Sequence, residues 1–128
     1  MTIEKFIKIA IFLLVLAIAL GALGAHALKE ILIYEKLLSF ETGIRYQVYH
    51  AISILVLSLN DKKFNHKLNT SLNLMTIGVI LFSFSIYLLS LQEILNINLT
   101  FLGPITPLGG ALMIAGWLNL FFAIKKNN

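Results

Sequence analysis

Four long runs of apolar residues, separated by short polar segments, form the main pattern of the chain. They cover about residues 6–25, 40–59, 72–91 and 108–124. Each run is close to the roughly 20 residues that an α-helix needs to cross the hydrocarbon core of a bilayer. The pattern predicts an all-α membrane protein, a bundle of four transmembrane helices in one membrane domain of residues 1–128.

The segment between the first two runs has a pattern of its own. Over residues 29–39, apolar side chains recur near helical spacing with charged side chains between them. This predicts a short interfacial helix between helices 1 and 2, lying on the outer membrane surface. A continuation of the first helix into water is the alternative.

Composition agrees with lipid as the solvent. Hydrophobic residues make up 59% of the chain and charged residues 12%, and the mean hydropathy is +0.89. A soluble domain carries about twice that share of charge, so this class is excluded. The chain has no cysteine, which excludes disulfides, thiolate zinc sites and a cysteine nucleophile.

The net charge of +4 has a topological explanation. Most of the ten basic residues lie before the first run, between the second and third runs, or after the fourth run, and none lies between the third and fourth. The positive-inside rule therefore predicts a multi-pass protein of the inner (plasma) membrane with both termini cytoplasmic. Because the lysines flank apolar runs, membrane lipids are the expected partners and nucleic acid is not.

The first run also matches a secretory signal peptide. Lys5 and Lys8 precede its wholly apolar core, Ile9–Leu23, and Ala25-His26-Ala27 imitates an A-x-A cleavage site. The apolar stretch is at the long end for a signal peptide. We take it as the first membrane helix, with cleavage as the alternative.

Small and polar residues predict how the helices pack. Helices in lipid approach closely where small residues align, as in Ala17, Gly21 and Ala25 and in Gly109, Gly116 and Ala123. These ridges predict internal seams of the bundle, or an interface of a homo-oligomer. In the third run, one stripe carries Thr76, Ser83, Tyr87 and Ser90. It predicts interhelical hydrogen bonds, with a solute pathway as the alternative.

The second run holds the residues with the most chemical potential. Its polar side chains fill about half of a helical circumference, opposite an apolar arc. We expect that polar face to meet the bundle and the apolar arc to face lipid. The apolar arc comprises Ile44, Val48, Ala51, Ile52, Leu55 and Leu59. The polar face comprises Glu41, Thr42, Arg45, Tyr46, Tyr49, His50 and Ser53.

Depth makes two of these residues candidates for a site. His50 falls near the bilayer midplane and Arg45 about 7 Å further out, where a charge costs about 2.5–3.5 kcal/mol. Glu41 precedes Arg45 by four residues, the favourable order for an ion pair. A hydroxyl–imidazole contact of Tyr46 with His50 is expected, and His26 is placed to join the group. Two interpretations stay open, a structural cluster and an outward-facing polar pocket.

The start of the fourth run is a second contributor to that pocket. Thr106 suits an N-cap and Pro107 the first helical position, while Gly109 and Gly110 leave backbone accessible. A helix start of this kind attracts anions. A plainly capped helix start is the preferred interpretation, and an anion site is the alternative.

Three segments together resemble a known family. They are GALGAHALK (residues 21–29), TGIRYQVYHA (42–51) and LGPITPLGGALMIAGW (102–117). They resemble the domain of unknown function 423 family, which includes the transmembrane protein 256-like small membrane proteins. The resemblance implies a membrane protein of about four helices, in a bacterial inner membrane or a mitochondrion, and names no activity. It directs attention to Gly24, His26, Tyr46, Gln47, His50, Pro107, Gly109 and Gly110.

The sequence therefore predicts a non-enzymatic binding or accessory protein whose outward-facing polar pocket takes a lipid or quinone head group. An oligomeric small-molecule or ion transporter is the alternative, and a membrane enzyme using His50 as acid and base ranks below it. No catalytic residue, cofactor or metal site is expected, since His26 and His50 have no convincing third ligand. The ligand-binding candidates are His26, Glu41, Arg45, Tyr46, Gln47, Tyr49, His50, Thr106, Gly109 and Gly110.

Overall fold

A computed structural model describes residues 1–126, which form helices joined by short loops with no strand among them. Helix α1 is followed by a π-helical turn over Gly24–Leu28 and by the three-residue helix α2. Short 3-10 turns lie at Asp61–Lys63 and Thr100–Leu102. The helices are α1 Ile3–Leu23, α2 Lys29–Ile31, α3 Tyr34–Leu59, α4 Lys67–Leu95 and α5 Ile105–Phe121.

Three stretches are long and apolar enough to cross a membrane: Ile3–Ile31, Lys67–Leu95 and Thr100–Phe121. Helix α3 is not among them because its polar side chains lower its mean hydropathy. With 26 residues, α3 is nevertheless roughly 39 Å long at 1.5 Å per residue. Over residues 1–126 the structure thus shows an all-helical fold with three candidate membrane spans, and a fourth long helix of mixed polarity.

The segment predicted as a separate interfacial helix is divided between two elements. Residues 29–31 continue the first helical rod through the π-helical turn, and residues 34–39 are the first turns of α3. The backbone is extended at Leu32 and Ile33, so the break lies in the middle of the amphipathic pattern. An amphipathic period does not reveal such a break, because extended residues with apolar side chains keep the pattern.

Helices α4 and α5 form the closest contact of the bundle. A Cβ on Gly78 would lie 2.8 Å from the Met113 nitrogen, and a Cβ on Gly116 would lie 3.1 Å from the Ser71 carbonyl oxygen. Gly109 and Ala123 are also buried. The predicted seam on the fourth run is therefore confirmed as internal, and α4 supplies Gly78 as its counterpart.

The ridge on the first helix behaves differently. Ala17 is buried at 2% exposure, but Ala25 is exposed and a Cβ on Gly21 would meet nothing within 4 Å. The buried small residues of this rod are instead Ala10, Ala17 and Gly24. Gly21 and Ala25 form no internal seam, and they border an open groove.

One end of the bundle gathers the segments that carry most of the lysines. Asn69 Nδ2 donates to the Met1 carbonyl oxygen at 2.7 Å, and Phe64 forms an antiparallel bridge with Ile124. The Lys125 backbone N–H donates to the Lys63 carbonyl oxygen at 3.1 Å. The start of the chain, the α3–α4 loop and the residues after α5 therefore lie together at one end.

Candidate functional site

Helix α3 buries a different face from the one that its polar residues predict. Its buried residues follow helical spacing along a mixed stripe of Gly43, Gln47, His50, Ala51, Ile54 and Ser58. Arg45, Tyr46 and Tyr49 are exposed, so the expectation that the whole polar arc meets the bundle is wrong. Ala51, placed on the lipid face by the sequence pattern, is fully buried. Small residues such as Gly43 and Ala51 permit close packing of helices. The buried face of α3 is therefore rotated about the helix axis from the face that the polar residues predict.

A closed polar cluster lies at the centre of this buried face. Gln47 is fully buried; its Nε2 donates to the Leu13 carbonyl oxygen at 2.7 Å, and its Oε1 accepts from the Tyr87 hydroxyl at 2.6 Å. Ser83 Oγ donates to the Gly43 carbonyl oxygen at 2.7 Å. The amide of Gln47 thus links α1, α3 and α4. For Ser83 and Tyr87, the predicted interhelical hydrogen bonding of the third run is confirmed.

His50 is held by bonds to both of its ring nitrogens. Trp117 Nε1 donates to His50 Nε2 over 3.1 Å, so Nε2 must be unprotonated. Nδ1 then carries the hydrogen and donates it to the Tyr46 carbonyl oxygen over 2.9 Å. The imidazole is therefore neutral, with donor and acceptor roles fixed by its partners. The expected hydroxyl–imidazole contact with Tyr46 is wrong, since the two rings instead stack at 6.3 Å and 15°.

A groove of about 370 Å³ opens beside His50, between α3, α4 and α5. We call it the aromatic groove. Its wall is largely aromatic and apolar, and no charged side chain lines it. Trp117 and Tyr46 stay 44% and 41% exposed, so both rings are available to a ligand. The lining residues are Tyr46, His50, Phe82, Gly110, Met113, Ile114 and Trp117.

Trp117 is the groove residue to which the sequence interpretation assigned no role. It follows Gly110 by seven positions, with Met113 and Ile114 between them. Spacings of three, four and seven place these residues on one face of a helix. This spacing on α5 was the signal available in the sequence. It does not show that Trp117 bonds to His50, which lies 67 positions earlier in the chain.

Glu41 and Arg45 lie away from His50, on the opposite flank of α3. They line a second groove of about 260 Å³, the charged groove, together with Gly21, Gly24, Ala25 and Ile44. The predicted ion pair between Glu41 and Arg45 is not formed. Within residues 1–126 the one salt bridge joins Lys8 and Glu4. Arg45 instead donates to Thr42 Oγ1 at 3.0 Å. The residues predicted to form one polar pocket are therefore not brought together: some line the aromatic groove, some line the charged groove and the rest line neither.

The start of α5 differs from the expected cap. The helix begins at Ile105, and Thr106 lies inside its first turn, where its hydroxyl contacts Ser85 Oγ at 2.6 Å. Gly109 is buried, and a Cβ there would lie 2.7 Å from the Gly78 carbonyl oxygen. Its backbone is covered by α4, so Gly109 does not leave its backbone accessible, as the sequence interpretation had assumed. Gly110, by contrast, lines the aromatic groove.

Five of the ten candidates line neither groove. They are Gln47, Thr106 and Gly109, whose positions are given above, and His26 and Tyr49. His26 is exposed in the π-helical turn, and Tyr49 is 57% exposed with its ring 6.0 Å from that of Tyr46. In the part of the chain that the structure describes, no three His, Asp or Glu side chains are grouped so that they could hold a metal ion. The chemistry present is ring stacking, neutral hydrogen bonding and, in the charged groove, separated charges.

The family model described as "Protein of unknown function (DUF423)" matches residues 20–110. The chain belongs to this family. The match covers His26, the polar residues of α3 and Gly109 and Gly110, and it ends before Trp117. The resemblance seen in the three sequence segments is therefore confirmed.

Members of the family with similar sequences are membrane proteins by name. The UPF0382 membrane protein YwdK of Bacillus subtilis is 36% identical over 96% of this chain and 98% of its own length. The UPF0382 inner membrane protein YgdD of Escherichia coli is 34% identical over 84% of this chain and 80% of its own length. A UPF0382 membrane protein of Haemophilus influenzae is 36% identical over 86% and 85%. No solved structure matches the chain.

Proposed function

We propose that this member of the DUF423 family crosses the inner membrane four times and is a non-enzymatic binding or accessory protein. Its proposed ligand is the planar head group of a quinone-type amphiphile, held in the aromatic groove. The observation that carries the proposal is the position of Tyr46 and Trp117, two exposed rings on either side of a hydrogen-bonded imidazole.

The four-span topology depends on α3. At roughly 39 Å, the helix exceeds the ~30 Å hydrocarbon thickness. Its most polar interior residues, Gln47 and His50, have hydrogen-bond partners inside the bundle. A paired polar group costs far less in hydrocarbon than an unpaired one. These contacts support α3 as a membrane span despite its lower hydropathy.

The proposed orientation places both termini in the cytoplasm. The lysine-bearing end of the bundle unites the first residues, the α3–α4 loop and the residues after α5. Basic segments are retained on the cytoplasmic side of inner membranes. On this orientation residues 29–39, at the other end, lie near the outer surface. The charged groove then lies in the outer half of the membrane, and the aromatic groove lies near its midplane.

The ligand class follows from the lining of the aromatic groove. Its volume of about 370 Å³ lies in the range of small-molecule sites. No cation lines it, so a phosphate has no charged partner there. Offset or edge-to-face packing on Tyr46 and Trp117 favours a flat ring, and the Tyr46 hydroxyl can donate to a ring carbonyl.

A binding role suits His50 better than acid–base catalysis. Both of its nitrogens are engaged, Nδ1 by the Tyr46 carbonyl and Nε2 by Trp117. To accept a proton from a substrate, Nε2 would have to give up the Trp117 hydrogen bond. The imidazole therefore fixes the position of the indole at the groove wall.

The single tryptophan of the chain makes the proposal directly testable. Quinones quench indole fluorescence on contact, so titration of the full chain in lipid nanodiscs with a short-chain benzoquinone should quench Trp117 saturably. Tyr46→Ala removes one wall of the groove and should weaken apparent affinity about tenfold, the effect of one lost stacking contact of ~1.4 kcal/mol.

Tyr49→Ala is the matched control, because Tyr49 is an exposed tyrosine of the same helix outside the groove. It should leave the titration unchanged. Quenching that rises linearly without saturation, or that is equal in the Tyr46→Ala and Tyr49→Ala variants, would overturn the proposed binding.

A further inference from the structure

The charged groove lies on the flank of α3 opposite the aromatic groove. Glu41, Ile44 and Arg45 form its wall on α3, whereas Tyr46 and His50 border the other groove. At 100° per residue the two sets project about 180° apart. A ligand in one groove therefore does not contact the residues of the other.

The opposite wall of the charged groove is formed by the first helical rod where it changes to π-helix. Gly21 and Ala25 present little side chain, and a Cβ added to Gly21 would meet nothing within 4 Å. A Cβ added to Gly24 would meet the Phe40 ring at 3.4 Å, an ordinary van der Waals contact. The groove, of about 260 Å³, is consequently open between the two helices.

Two opposite charges face this groove without meeting each other. Glu41 and Arg45 stand four residues apart in the order that favours an ion pair, yet they form none, and Arg45 donates only to Thr42 among residues 1–126. Unpaired charges beside hydrocarbon are costly. A ligand that itself separates a negative from a positive group would satisfy both.

We propose that the charged groove binds the zwitterionic head group of an ethanolamine phospholipid. The Arg45 guanidinium takes the phosphate, which suits its planar set of donors. The Glu41 carboxylate accepts hydrogen bonds from the primary ammonium. A choline head group has no N–H for Glu41, and a glycerol head group has no positive charge for it.

The experiment is native mass spectrometry of the full chain with ethanolamine, choline and glycerol phospholipids of identical acyl chains. The wild type should retain the ethanolamine lipid about tenfold more than either of the others, the effect of one charge-assisted hydrogen bond. Arg45→Gln should lower retention of all three lipids. Glu41→Gln should lower ethanolamine retention but not glycerol retention, so that the preference between these two is lost.

Matched controls use charges outside the groove. Glu35→Gln and Lys29→Gln alter exposed charges at the same end of the bundle and should leave lipid preference unchanged. Gly21→Leu should fill the groove and abolish retention while the thermal midpoint is kept, because its Cβ meets open space. Soluble phosphoethanolamine should not displace the lipid, and displacement would assign the site to a free metabolite.

Equal retention of the three lipids by the wild type would overturn this assignment. An unchanged ethanolamine preference in Glu41→Gln would overturn it as well. Tyr46→Ala should leave ethanolamine retention intact, since Tyr46 borders the other groove. If Tyr46→Ala lost retention and the charged-groove variants did not, the lipid would be assigned to the aromatic groove instead. The lipid experiment and the quinone titration can therefore fail independently of each other.

Discussion

The two faces of α5 meet their neighbours in opposite ways. On one face, Gly109 and Gly116 bring the backbone of α5 against the backbone of α4. On the other, Gly110 and Trp117 border an open groove beside α3. The adjacent residues Gly109 and Gly110 therefore have different roles, since Gly109 lies in the contact with α4 and Gly110 lies at the groove. The closed seam fixes α5 in place, and it is this fixed helix that presents Trp117 to His50.

The largest expected effect comes from the closed face. Gly109→Ala would place a Cβ 2.7 Å from the Gly78 carbonyl oxygen and closer still to the Phe82 nitrogen. Because both are backbone atoms, the helices must separate, and we expect the free energy of unfolding to fall by about 2 kcal/mol or more. Reversible unfolding in mixed detergent micelles measures this change.

Gly110→Ala is the matched control at the neighbouring position. Its Cβ would meet the Phe82 ring at 3.8 Å, an ordinary contact, so stability should change by no more than about 0.5 kcal/mol. Equal effects of the two substitutions would contradict the contrast between the faces of α5.

A smaller effect is expected in the closed polar cluster. Tyr87→Phe leaves the Gln47 Oε1 without its donor inside the bundle, which should cost about 1 kcal/mol of unfolding free energy. Tyr49→Phe, on the exposed face of the same bundle, should cost nothing measurable. If both variants unfold like the wild type, the cluster does not hold α3 against α4.

The smallest energetic effect is expected at the groove. His50→Leu removes the acceptor of the Trp117 indole, worth about 0.6 kcal/mol in a membrane bundle, so the clearer readout is spectroscopic. The emission of Trp117 should shift to shorter wavelength as its hydrogen bond is lost. Tyr49→Leu should leave the emission unchanged. An unchanged spectrum in His50→Leu would show that the two rings are not bonded.

The sequence predicted the helical class and the α5 seam because both depend on local periodicity and residue size. It ended the first helix at Ala25, whereas the helical rod continues to Ile31. It also missed the early start of α3 at Tyr34, since Leu32 and Ile33 keep an apolar pattern while their backbone is extended. Helix boundaries within an amphipathic stretch depend on backbone angles that side-chain polarity does not encode.

Five of the ten candidate residues line one of the two grooves, and the geometry of those grooves was not predicted. Gln47 and His50 are buried and Gly110 lines a groove, as a functional or structural core requires. The polar arc of α3 nevertheless splits into a buried stripe and two flanks, because Gly43 and Ala51 take the closest contacts. Tyr87 lies 40 positions from its partner Gln47, and Trp117 lies 67 positions from its partner His50. A projection of one helix shows which of its residues share a face, but not which residues of other helices they contact.

Whether α3 crosses the bilayer decides the topology on which both grooves depend. The chain has no cysteine, so single-cysteine variants can map it with a membrane-impermeant maleimide on spheroplasts. Glu35→Cys should react from outside, Lys62→Cys only after permeabilisation, and Val56→Cys, exposed on the lipid side of α3, in neither state. Reaction of Glu35→Cys and Lys62→Cys from the same side would contradict a membrane-spanning α3.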